Sequence, residues 1–78
     1  MHKINRYFCK YRRDKEGTYT SFVEVHNVQT LSGKQFLDKV YTQLVEDIWY
    51  HHRITASRED LDIISLNLID AITHIELT

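Results

Sequence analysis

Leu61-Asp62-Ile63-Ile64-Ser65-Leu66-Asn67-Leu68-Ile69 is the stretch on which the fold turns. Two periodicities compete in it. Leu61, Ile64, Leu68, Ile72 and Ile75 recur at helical spacing, and Ser57-Arg58-Glu59-Asp60 just upstream resembles a capped helix start with acids in its first turn. Read as an extended segment, Ile64, Leu66 and Leu68 alternate against Ser65 and Asn67, with isoleucine at positions where a helix former is expected. The strand reading is preferred, because a hairpin packed on one helix has little sheet to cover and a third strand supplies it. Residues 71–78 read equally as a strand extension, a short helix or a loose tail.

Working back towards the N-terminus, residues 34–50 carry two apolar rows. Phe36, Val40, Leu44 and Ile48 recur every four residues beside Leu37, Tyr41, Val45 and Trp49, so they make one wide stripe on a helix. Lys39, Gln43, Glu46 and Asp47 lie opposite and are expected in water. Thr30 or Ser32 can cap the start, and His51, His52 and Arg53 suit the negative end of the helix dipole.

Residues 4–12 interleave aromatic and basic side chains. In an extended chain Tyr7, Cys9 and Tyr11 point one way and Arg6, Phe8, Lys10 and Arg12 the other. A polar stretch ending in Gly17 follows. Residues 18–28 are then β-branched and aromatic, with Tyr19, Val23 and Val25 opposed to Phe22, Glu24 and His26. The sequence therefore implies an α+β fold of ββαβ order: an antiparallel hairpin, one amphipathic helix and a three-stranded sheet, as one domain over residues 1–78. A third strand running parallel to the second makes the helix a crossover.

Composition bounds the function. With 78 residues, 42% of them apolar and 27% charged, the chain suits one small packed core. A single cysteine, Cys9, excludes an internal disulfide and points to a reducing compartment, and no apolar run fits a signal peptide or membrane span, so a cytoplasmic location is expected. The net charge of −1 hides an uneven distribution: the first 15 residues hold six cations against Asp14 alone, and the remaining 63 hold four cations against ten acids.

Catalytic and metal chemistry find little footing. Cys9 sits mid-strand with Tyr7 and Tyr11, where cysteine is usually a small core residue, and two glycines cannot build a phosphate loop. Among five histidines the one suggestive spacing is Asp47 to His51, which reads better as a polar helix end than as a metal site. No cofactor, metal or enzymatic activity is expected.

The order of signals resembles that of very short proteins from phages and mobile elements. The likeness is carried by Arg6-Tyr7-Phe8 and Tyr11, the turn at Gly17, a second strand, the helix of residues 34–50, and Ile63-Ile64-Ser65-Leu66-Asn67-Leu68-Ile69. It implies a protein that acts by binding one host protein, as inhibitors of CRISPR nuclease complexes do, and it assigns no role to any residue.

The expectation is a non-catalytic protein-binding module that blocks or redirects a host complex. Its candidate surface is acidic, formed by Glu46, Asp47, Glu59, Asp60 and Asp62 with Asp70, and would occupy a partner's basic groove. The alternative is single-stranded nucleic-acid binding through Arg6, Lys10, Arg12 and Arg13, with aromatic faces to stack bases. Self-association is a third expectation, through an uncovered sheet face carrying Phe22, Ile63 and Ile69.

Overall fold

The computed structural model describes residues 2–14 and 17–74. The first strand, β1 (His2–Arg13), turns back into β2 (Thr18–His26) with Tyr11 opposite Tyr19 and Phe8 opposite Phe22. Arg13 N–H donates to the Gly17 carbonyl at 3.0 Å, and Gly17 has φ +110°, which a side chain would strain. Lys15 and Glu16 lie outside the described residues.

After β2, Asn27 adopts φ 52° and ties the chain down: its N–H donates to the Lys3 carbonyl at 2.7 Å, and its Oδ1 accepts from Lys3 N–H at 3.3 Å. A 3₁₀ turn, Val28–Thr30, leads into the helix α1 (Gly33–His52). Of the two candidate caps the chain uses Ser32. Its Oγ accepts from Gln35 N–H and Gln35 Oε1 accepts from Ser32 N–H, so two otherwise orphaned donors are satisfied at once. The helix stops at Arg53, whose backbone is left-handed and whose N–H donates to the Trp49 carbonyl.

Ser57-Arg58-Glu59-Asp60 does form a capping box, with Asp60 Oδ2 accepting from Ser57 N–H and Oγ, but it closes a single 3₁₀ turn rather than a second helix. Asp14 N–H then donates to the Asp60 carbonyl at 2.8 Å, and this bond opens the pairing of β3 (Leu61–His74) with β1. The stretch at 61–69 is therefore a strand, and it continues to His74, through the first half of the segment read three ways. Residues 75–78, Ile75 included, lie outside the described residues.

The sheet order is β2-β1-β3, both pairs antiparallel. β3 thus runs in the same direction as β2 without touching it, and α1 connects them across β1. Two irregularities fall in the β1–β3 register, between Arg6 and Tyr7 and between Lys10 and Tyr11, so that Ile69 and Ile64 have no partner on β1. They shift which face β3 presents. Ile63 and Leu66, three apart, both stand on the helix side opposite Tyr11 and Cys9.

The core lies between α1 and the sheet. Val40, Leu44 and Ile48 of the helix meet Cys9 and Tyr11 of β1 and Val23 and Val25 of β2, all at most 4% exposed. Ala56 and Leu61 close one end. Tyr7 meets Phe36 edge to face at 5.4 Å, and Tyr11 stacks on Tyr19 at 6.0 Å.

The helix is rotated from the orientation its apolar rows suggest. Val40, Leu44 and Ile48 of its first row are buried and Phe36 partly so, but Leu37 and Trp49 of the second are 41% and 51% exposed. Two residues expected in water turn instead to β2: Asp47 Oδ2 accepts from Ser21 Oγ at 2.8 Å, and Gln43 bonds both main-chain groups of Glu24. The physical reason is that α1 packs against β2, where the outward main chain of Glu24 and the Ser21 hydroxyl need hydrogen-bond partners that an apolar residue could not supply.

Candidate interaction surface on the open sheet face

Strict alternation along β1 sends Ile4, Arg6, Phe8, Lys10 and Arg12 to the face that α1 does not cover. Antiparallel pairing fixes their neighbours, because directly opposed residues share a face. Phe8 stands between Phe22 and Asn67, Lys10 between Thr20 and Ser65, and Arg12 between Thr18 and Asp62. The Phe8 and Phe22 rings are tilted against each other at 5.4 Å, and Phe22 remains 62% exposed. This is an apolar centre on a solvent-facing sheet.

Charges surround it in both signs. Arg6 lies between Glu24, with Nε to Oε1 at 3.4 Å, and Asp70, with a guanidinium nitrogen at 3.9 Å from Oδ2. All three side chains are more than two-fifths exposed, so these pairs contribute at most about 1 kcal/mol each. Histidines aside, the described residues of this face carry Arg6, Lys10 and Arg12 against Glu24, Asp62 and Asp70. The basic excess of the first 15 residues does not become a basic surface, because β1 is the central strand and each edge strand sets acids beside it.

Arg13, the fourth residue of the candidate nucleic-acid set, is on the other side, with its guanidinium 4.7 Å from the centre of the Tyr19 ring. The structure thus brings Arg6, Lys10 and Arg12 onto one face and leaves Arg13 out. The acidic set is more scattered. Glu46 borders a groove on the outer side of α1, Asp47 is bonded to Ser21, Asp60 caps its own turn, Glu59 is exposed in that turn, and Asp62 stands on the open face opposite Arg12. These five do not form one continuous surface. Of the residues expected on the uncovered face, Phe22 is there, Ile63 instead packs on the core, and Ile69 is 48% exposed at an irregularity of β3.

The groove beside Glu46 encloses about 480 Å³ and is lined by Asp38, Tyr41, Thr42, Val45 and Arg58. Its lining side chains are engaged with one another: the Arg58 guanidinium lies 4.5 Å from the centre of the Tyr41 ring and pairs with Asp38.

The sequence raised two candidates for catalytic or metal chemistry, the Cys9 thiol and the Asp47–His51 pair. Cys9 is fully buried, and burial pushes its thiol above the ordinary range, away from the thiolate that nucleophilic attack requires. His51 Nδ1 contacts the main-chain carbonyl of Asp47 at 3.0 Å, while the Asp47 carboxylate is turned to Ser21. Among the described residues no three histidine, cysteine or acidic side chains gather as a metal site would need, and no helix is long and apolar enough to cross a membrane.

No family model, curated protein or solved structure matches this chain. The acid the sequence reading missed is Glu24, and Asp70, counted there with the acidic set, stands instead beside Arg6; both gain their meaning from strand order, which no local pattern carries.

Proposed function

We propose that this chain is a non-catalytic protein-binding module that recognises its partner through the open sheet face. One observation carries the reading: an exposed Phe8–Phe22 pair sits at the centre of a face whose three cations and three acids offset one another. An apolar centre within a rim of mixed charge is the anatomy of a protein interface. A single-strand binder would instead need a track of uncompensated cations along its stacking rings. The resemblance to accessory proteins of phages and mobile elements makes a host complex such as a CRISPR nuclease the first partner to test, with inhibition or redirection of that complex as the effect.

The test is capture from nuclease-treated host extract, followed by titration of the recovered protein. Phe22→Asp weakens its binding about a hundredfold, as central aromatic anchors do, while Lys34→Ala on α1 leaves it unchanged. Recovery that vanishes with nuclease, together with oligonucleotide binding that falls steeply with salt, overturns this reading in favour of nucleic acid.

A further inference from the structure

The two edges of the sheet are treated differently. On β2 the Glu24 N–H donates to Gln43 Oε1 at 2.8 Å and the Glu24 carbonyl accepts from Gln43 Nε2, so a helix side chain stands where another strand would pair. On β3 no side chain among the described residues bonds the outer main chain. This strand is 14 residues long, has no proline, lysine or arginine, and exposes Ile64, Leu68, Ile69 and Ile72 by 40% to 56%. Its charged side chains among the described residues are Asp62 and Asp70, and the apolar stretch between them is a template for strand pairing.

We propose that the outer edge of β3 pairs antiparallel with the same edge of a second copy, about a two-fold axis at Asn67. A row of unpaired N–H and C=O groups is complemented by another strand, and among the described residues β3 is the edge with no side chain on its outer main chain, whereas β2 is blocked at Glu24. Self-pairing through β3 uses the same edge of both copies and therefore closes at two, with Gln43 obstructing each outer β2 edge at Glu24.

Charge selects the register. An axis at Leu66 sets Asp62 directly against Asp70 of the second copy, and like charges so opposed are destabilising. An axis at Asn67 sets Asp62 against Ile72 and Leu66 against Leu68, keeping helix-side residues facing helix-side residues. It also sets Ile64 opposite Asp70 of the second copy, one residue from that copy's irregularity at Ile69. The Phe22–Phe8–Asn67 row of one copy then continues into Asn67, Phe8 and Phe22 of the other, joining both open faces. One strand per copy supplies fewer than the roughly 20–30 residues a side of a standard interface, so the dimer depends on concentration.

Sedimentation equilibrium from about 5 to about 500 μM reads this directly, since micromolar to near-millimolar pairs dissociate in that range. The expected result is a monomer–dimer equilibrium with no larger species. Asn67→Asp, at an exposed position, opposes two carboxylates across the axis and raises the dimer dissociation constant about tenfold or more with an unchanged circular dichroism spectrum. Under mild oxidation Asn67→Cys forms a covalent dimer and Thr20→Cys on β2 does not. A monomer at every concentration, open-ended polymers, or a dimer indifferent to Asn67→Asp and cross-linked through Thr20→Cys overturns the proposal. None of these results depends on the partner-binding reading, whose test uses Phe22.

Discussion

The two faces of β1 are built from the same run of residues and have opposite fates. Cys9 and Tyr11 point into the layer under α1 and are 0% and 4% exposed, while Phe8, next to Cys9 in the chain, and Phe22 beside it face solvent at 37% and 62%. The contrast teaches where this small protein keeps its stability and where it keeps its surface. Aromatic volume on the covered side holds the fold together, and aromatic area on the open side remains for recognition.

The largest expected effect tests that division. Leu44→Ala, at a fully buried helix position against β1 and β2, costs about 3 kcal/mol of unfolding free energy, whereas Phe22→Ala on the open face costs less than about 0.5 kcal/mol. Urea titration of both variants measures the ratio. Equal losses would mean that the open face is part of the core economy and not a free surface.

A smaller effect separates the two edges. Gln43→Ala removes both bonds to the Glu24 main chain, and because those groups can turn to water the loss is about 1 kcal/mol. Its second consequence is sharper: with β2 uncapped, species larger than a dimer appear in sedimentation at high concentration.

The smallest effect concerns pH. Burial raises the Cys9 thiol and, more than the neighbouring Arg13 offsets, the Tyr11 hydroxyl, so the folded state holds these protons more tightly than the unfolded chain. The stability they contribute is complete below the unfolded thiol value of about 8.5 and is lost as pH rises through the folded values. Urea midpoints between about pH 7 and 10.5 should be level at first and then fall, and Cys9→Ala should make the initial fall shallower. A midpoint that rises with pH over that interval would contradict the burial of both groups.

The hairpin was readable because side chains alternate strictly along a strand: the partition of Tyr7, Cys9 and Tyr11 from Arg6, Phe8, Lys10 and Arg12 needs no partner to define it. The helix was readable in extent, and its first apolar row was readable as core. Residues 61–69 were only weakly legible, since Leu61, Ile64 and Leu68 recur at helical spacing and the strand's own alternation is broken by irregularities at Ile64 and Ile69 that only its pairing with β1 reveals.

By itself, then, the sequence determined the local elements and the two faces of β1, because steric alternation and turn chemistry act between near neighbours. The tertiary structure alone decided that β1 is central. From that order follow the acids beside Arg6 and Arg12, the turning of Gln43 and Asp47 towards β2, and the open edge of β3. Strand order is fixed by contacts between residues distant in the chain, and no local pattern encodes which strand becomes the neighbour of which.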